Sequence, residues 1–218
     1  MFILSCEPAT CAVPEWHREL FKGHEETLAA EGWSPGSLNL AQAFATKLRT
    51  LLAHGDITKL LVDFSCRPED PERFSRFSKK LTEDQLRKLD ERHHLAHINL
   101  LKQRIREEMS KEGNALHLSI RADERPGMAA VELVFDPARE IESGFVRKWA
   151  DALRAAAPEL QILTVPDPNY GLSAVLREEF PSSFGSVSVV AARSSFLEGK
   201  PLRWDKLKKL LLETMPRS

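Results

Sequence analysis

The chain has 218 residues, 42% of them hydrophobic and 29% charged, and its formal net charge is −1. This composition is typical of one globular domain, expected to span residues 1–218, and the near-zero charge argues against a nucleic-acid partner. No apolar run approaches the roughly 20 residues of a membrane helix, so we expect no membrane partner. The chain has three cysteines, and this odd number favours a reducing compartment, so we expect a cytoplasmic protein.

Strand patterns and helix patterns alternate along the chain. Short runs rich in Leu, Ile and Val predict strands at residues 2–5, 59–65, 115–120, 130–135, 161–165 and 187–192. Apolar residues at helical spacing predict helices at residues 37–54, 82–112, 138–156, 172–180 and 204–215. This order predicts an α/β fold of three layers, with a mostly parallel central sheet and helices on both faces.

Local signals predict where two of these helices begin and end. Gly55 follows the helix at 37–54 and is read as its stop. Thr82 with Gln85 three residues later forms a capping box for the next helix, which Gly113 ends.

Polar residues follow several of the predicted strands. Cys6 and Glu7 come after the first, residues 63–67 close the second, and Arg121 follows the third. Because reactive loops lie past the carboxyl ends of parallel strands, we expect these side chains at one edge of the sheet. Asp63 there is either an acid directed into a cleft or the cap of the following turn, and both alternatives remain open.

Several motifs resemble those of one enzyme family. Residues 5–8, Ser-Cys-Glu-Pro, followed by Val13 and Pro14, are similar to the Ser-Cys-Glu-His and Val-Pro opening of the N-formylglutamate amidohydrolase family. Later segments of similar sequence lie at residues 31–37, 60–67, 116–122, 131–139 and 185–192. The resemblance covers nearly the whole chain and implies a phosphorylase/hydrolase-like fold.

The resemblance implies a metal-dependent amidohydrolase. Such an enzyme hydrolyses an N-formyl or N-acyl amino acid with a water bound to a divalent ion such as zinc, and arginines bind the substrate carboxylate. The candidate catalytic residues are Glu7, Asp63 and His117. The candidate residues for binding the substrate or another anion are Arg67, Arg121, Asn169, Tyr170 and Arg193.

Five positions that carry a histidine or an acid in the family are replaced in this chain. Pro8 and Arg121 replace histidines, Ser34 replaces an acid, and Val187 and Val189 replace glutamates. A catalytic zinc needs about three protein donors and an open position for water, and a carboxylate must handle the proton of that water. We therefore expect no metal ligands and no cofactor in this chain, and whether it is an enzyme stays open.

Two functions fit these residues. The first is amidohydrolase-like activity, and the alternative is non-catalytic binding of a carboxylate or phosphate, or a regulatory role, on the same scaffold. Arg67 and Arg121, expected at neighbouring strand ends with Asp63 or Glu7 nearby, would form ion pairs or hold an anion. The expected partner is a small anion or an N-acyl amino acid, and the oligomeric state is unknown.

Other side chains that could bind a metal or react have simpler explanations. His93, His94 and His97 have a spacing that suits a metal, but without the His-Glu-x-x-His arrangement we favour a packed or solvated helix face. His117, in the middle of a strand, is also explained as a hydrogen-bonded core histidine. Cys66 beside an arginine is a weaker candidate for a reactive thiol.

Overall fold

The computed structural model describes residues 2–194 and 201–216, and a six-stranded sheet forms the centre of this part of the chain. The strands are β1 (Phe2–Cys6), β2 (Leu52–His54), β3 (Ala115–Asp123), β4 (Val131–Phe135), β5 (Ile162–Pro166) and β6 (Phe184–Ala192). Their spatial order is β2-β1-β3-β6-β4-β5. Strands β2, β1, β3 and β6 are mutually parallel. Strand β4 is antiparallel to β6, and β5 is parallel to β4. The predicted mostly parallel sheet is confirmed.

Helices cover both faces of this sheet. The α-helices are α1 (Glu25–Glu31), α2 (Ser37–Leu48), α3 (Glu83–Leu89), α4 (Leu95–Glu112), α5 (Glu140–Ala156), α6 (Gly171–Glu179) and α7 (Pro201–Thr214). Buried side chains of α2, α5 and α7 share one apolar cluster with the sheet, and those of α4 and α6 share another. The three-layer α/β prediction is therefore confirmed. Within the described residues, no helix combines the length and apolar character needed to cross a bilayer.

The predicted strand at residues 59–65 is wrong, because a buried loop lies there. Leu61 and Phe64 are buried in a third apolar cluster, away from the sheet. The backbone bonds to other loops instead of a strand, as where the Asp63 amide donates to the Arg73 carbonyl at 2.8 Å. A short apolar run satisfies burial in either conformation, and its composition alone does not separate the two.

The predicted helix at residues 37–54 is too long, because it includes a strand. The helix ends at Leu48, and Arg49 adopts the left-handed conformation with φ of 52°. The chain then reverses, and β2 pairs in parallel with β1 at the edge of the sheet.

Gly55 lies at a close contact between loops and is not the stop of that helix. Its amide donates to the Cys6 carbonyl at 3.0 Å. A Cβ atom at this position would collide with the Glu7 carbonyl, so only glycine lets the two backbones approach. This contact fixes the loop that follows β1.

The predicted helix at residues 82–112 is confirmed as one continuous helical stretch. Thr82 and Gln85 form the predicted capping box, and Gly113 ends the stretch with φ of 74°. Between α3 and α4, Asp90–His94 form a wider π-helical turn, a feature often found at functional sites.

One face of the sheet is polar at its centre. On β3, alternate residues contribute Leu116, Leu118 and Ile120 to the cluster shared with α2, α5 and α7. Because side chains alternate along a strand, the residues between them face the layer of α4 and α6. The polar residues on this face of β1, β3 and β6 are Ser5, His117, Ser119, Arg121, Ser186 and Ser188.

Candidate functional site

Glu7 is a buried carboxylate directly after β1, and only 2% of its surface is exposed. Ser119 donates to its Oε2 at 2.6 Å, and Nε2 of His97 lies 3.5 Å from its Oε1. Burial alone would raise the pKa of Glu7, but hydrogen bonds from His97, Ser119 and Ser5 outweigh it and lower the pKa to about 2. The carboxylate is therefore ionised at neutral pH, with both oxygens occupied.

His117 is fully buried and bonded through both ring nitrogens. Nε2 lies 2.8 Å from the Ser5 hydroxyl, and Nδ1 lies 2.8 Å from the Ser186 hydroxyl. Ser186 also donates to Ser173 at 2.9 Å, so both ring nitrogens of His117 lie within a chain of serine hydroxyls. Burial lowers the pKa of His117 to about 4, so the ring is neutral at pH 7. These contacts make it a hydrogen-bonded core histidine, with no nitrogen free for a substrate.

A buried ion pair supports the same polar layer. Glu142 of α5 and Arg177 of α6 form two parallel hydrogen bonds, Nε to Oε1 at 2.9 Å and Nη2 to Oε2 at 2.8 Å. Their side chains are 0% and 4% exposed. Glu142 also accepts from the amides of Asp136 and Ser186, and Arg177 donates to the Ser186 carbonyl at 2.6 Å. The pair joins α5 and α6 to β6 across the end of the sheet.

Asp63 caps a turn in the structure. Its Oδ1 accepts from the Ser65 amide at 2.9 Å and from the Ser65 hydroxyl at 2.6 Å. Such bonding is the ordinary role of an aspartate at the start of a turn. Of the two alternatives for Asp63, the structure shows the cap.

The surroundings of Cys66 disfavour the thiolate that a reactive cysteine needs. Burial, together with the charges of Asp63 and Asp70, raises the pKa of Cys66 to about 12. The thiolate form is therefore negligible at neutral pH.

Arg67 is paired with two acids other than those expected. It pairs with Glu69 at 2.9 Å and with Glu178 of α6 at 2.6 Å. Both acids are exposed, and neither is among the predicted partners, Asp63 and Glu7. The expected approach of Arg67 to Arg121 at neighbouring strand ends rested on the strand at 59–65, which does not form.

Arg121 is the cation at the carboxyl end of β3. Its guanidinium carbon lies 5.1 Å from the ring centre of Tyr170, a cation–π arrangement. Its Nε is buried without a hydrogen-bond partner, and within residues 2–194 and 201–216 no carboxylate pairs with it. Burial raises the pKa of the Tyr170 hydroxyl, so this group is a neutral donor beside the guanidinium.

Arg193 and Asn169 lie on segments that adjoin those of Arg121 and Tyr170 in the fold. Arg193 follows β6, its amide donates to the Asp123 carbonyl at 2.8 Å, and its Nε is also buried without a partner. Asn169 is exposed, and its amide donates to Asp167 at 3.0 Å in the turn before Tyr170.

The helix histidines also have partners within the protein. His94 lies 3.0 Å from both Asp90 and the Cys66 carbonyl, and His93 lies 3.0 Å from Asp56. Across the described part of the chain, no three His, Cys, Asp or Glu side chains form a group that would hold a metal ion. At the family positions Pro8 offers no donor and Arg121 is cationic, so these residues do not fit a divalent ion.

We predict that the purified protein carries no stoichiometric zinc, because the positions of Pro8, Arg121 and Val187 supply no donor atoms for it. Elemental analysis of protein prepared without chelators should give far less than one ion per chain. About one tightly bound zinc per chain would show that other side chains build a metal site.

Sequence reasoning missed most of the polar layer beneath these residues. The buried polar residues that it did not name as members of the candidate site are Ser5, His97, Ser119, Glu142, Ser173, Arg177 and Ser186. One signal was present: every second residue of β3 from His117 to Asp123 is polar, although the strand lies in the middle of the sheet. A polar alternation in a central strand indicates a buried hydrogen-bond network.

Comparisons with known proteins show that the fold of this chain is similar to two solved structures. No protein-family profile and no curated protein sequence matches the chain. A gene product from Agrobacterium tumefaciens superposes with a TM-score of 0.73 at 17% identity, over 98% of this chain and 89% of that one. The N-formylglutamate amidohydrolase from Ralstonia eutropha JMP134 superposes with a TM-score of 0.71 at 15% identity, over 96% and 91%. The chain therefore has an N-formylglutamate amidohydrolase-like α/β fold, and the predicted resemblance is confirmed at the level of the fold.

Proposed function

We propose that the protein binds a small anion at Arg121 without hydrolysing it. The ligand class is a carboxylate, as in an N-acyl amino acid, or a phosphate. Arg121 would pair with the anionic group, the Tyr170 hydroxyl would donate a further hydrogen bond, and Arg193 would add positive charge.

The observation that carries this proposal is the unpaired state of Arg121. A partly buried guanidinium normally bonds to a carboxylate, because leaving its donors unsatisfied is costly. In the described residues Arg67 and Arg177 are paired in this way, whereas Arg121 has a tyrosine ring on one side and no carboxylate within ion-pair distance. The guanidinium fork matches the two oxygens of a carboxylate or phosphate.

Hydrolysis of an N-acyl amino acid is the second candidate, because the structural neighbour from Ralstonia eutropha is an amidohydrolase. In that reaction Glu7 is the best placed acid to accept a proton from water. Its pKa of about 2 makes it a weak base at neutral pH, and both of its oxygens already accept hydrogen bonds. The geometry favours binding over catalysis.

A thermal-shift panel tests the proposal. The probes are N-acetylglutamate, N-formylglutamate, succinate and inorganic phosphate, each added to wild type and to Arg121→Gln. A probe at about 100 times its Kd should stabilise wild type by about 2.7 kcal/mol. The variant should lose most of that stabilisation, because glutamine keeps hydrogen-bonding capacity but removes the charge and the fork.

Arg104→Gln is the matched control, because Arg104 lies at the opposite edge of the sheet, where it donates to the Leu51 carbonyl. This variant should respond to the probes as wild type does. If no probe stabilises wild type, or if Arg121→Gln responds equally, Arg121 has only a structural role. Release of formate from N-formylglutamate would support the amidohydrolase candidate instead.

A further inference from the structure

A second cleft opens at the amino-terminal edge of the parallel strands, away from Arg121. It has a volume of about 670 Å³ and lies between the start of β3 and the first half of α5. This volume is within the range of small-molecule sites, about 300–1,000 Å³. Its apolar wall includes Leu116, Ile141 and Phe145.

Two adjacent cations line this cleft. Arg147 and Lys148 are both exposed, and neither forms an ion pair within the described residues. Glu140 is the acid in the lining, so the side chains of the cleft carry a net positive charge. An anionic group is the complement that these side chains lack.

Gly144 lies in the wall of this cleft. It lies inside α5, where glycine is a poor helix former, and no positive φ requires glycine there. A Cβ atom at this position would meet no atom within 4 Å, so close packing does not require glycine either. The absent side chain leaves space one helical turn before Arg147 and Lys148, on the same side of the helix.

We infer that this cleft binds an amphipathic monoanion, a carboxylate attached to an apolar chain or ring. The carboxylate pairs with Arg147 and Lys148, and the apolar part occupies the space above Gly144 against Leu116 and Ile141. This site is independent of the anion proposed at Arg121, since the two lie at opposite ends of β3.

The test uses 4-phenylbutyrate as the probe and its neutral amide as the comparison. Binding of each compound is monitored by NMR of the ¹⁵N-labelled protein. The Gly144 and Asn114 amides should shift in a saturable way with the acid and far less with the amide. Gly144→Leu, which places a bulky side chain in the space beside Arg147 and Lys148, should abolish these shifts at Asn114. Gly144→Ala keeps most of the space and should bind the acid as wild type does.

The role of charge is tested separately with the double variant Arg147→Gln/Lys148→Gln. This variant should bind 4-phenylbutyrate about tenfold or more weakly, as expected for a lost charge-assisted pair. Lys47→Gln, on the exposed side of α2, is the control and should leave the Kd unchanged. The inference is overturned if the acid does not shift Gly144, if acid and amide bind equally, or if Gly144→Leu still binds. None of these outcomes depends on Arg121, so the two proposed sites fail or stand separately.

Discussion

Replacing Arg177 with methionine is expected to destabilise the protein by about 3–5 kcal/mol, which is typical for removing one partner of a buried ion pair. The side chain of Glu142 is 0% exposed, so without Arg177 its charge would remain buried, held only by the amides of Asp136 and Ser186. The substitution also leaves the carbonyls of Ser186 and Pro168 without their guanidinium donor. Urea unfolding followed by circular dichroism measures the loss.

Arg87→Met is the matched control for this experiment. Arg87 also binds two acids, Asp84 at 2.7 Å and Glu91 at 2.9 Å, but its side chain is 56% exposed. Exposed pairs contribute little, so the control should change the unfolding free energy by less than about 1 kcal/mol. Equal losses in the two variants would show that Arg177 does not depend on burial for its effect.

Stability is expected to fall as the pH is lowered from about 6.5 to 4, because of His117. The folded state keeps this ring neutral down to a pKa of about 4, whereas the unfolded chain protonates it near 6.5. The unfolded state therefore binds more protons in this window, and full titration costs about 3 kcal/mol of folding free energy. His117→Gln should flatten the pH dependence in this range, although it loses stability at pH 7.

Glu7 extends this dependence to lower pH. Its pKa is about 2 in the folded state and 4.5 in the reference state, so its stabilising effect is present above pH 4.5 and is lost as the pH falls towards 2. Glu7→Gln should therefore reduce the slope below pH 4.5, while the dependence due to His117 remains and extends to lower pH, because the Glu7 charge raises the pKa of His117. Unfolding free energies measured at closely spaced pH values separate the two residues. A slope between pH 6.5 and 4 that is the same in wild type and His117→Gln would contradict the assigned role of the ring.

The sequence predicted the layers of the fold better than its loops. The strands around residues 115–120 and 187–192 were recognisable because buried parallel strands are rich in branched apolar residues. The loop at 59–65 has the same composition, and the difference lies in hydrogen bonds to segments far along the chain, such as Asp63 to Arg73. Those pairings are properties of the folded chain and leave no local pattern.

The candidate site was also predictable only in part, because motifs reveal single residues and long-range pairings leave no local pattern. Glu7 and His117 were named from their motifs, and the structure places both in one buried network joined through Ser5. The pairing of Glu142 with Arg177 joins residues 35 positions apart on two helices, so no spacing rule reveals it. For Arg67 the motif was misleading about its partner, because the side chain pairs with Glu178 of α6 and not with Asp63 or Glu7.

Isothermal titration calorimetry with N-formylglutamate, and in parallel with phosphate, provides the decisive test of anion binding at Arg121. Wild-type protein in a chelating buffer should give a saturable heat with a stoichiometry near one for at least one of the two, and Arg121→Gln should weaken that Kd by about tenfold or more. Absence of saturable heat with both compounds, equal affinity in the variant, or binding that appears only after zinc is added would contradict a metal-free anion site.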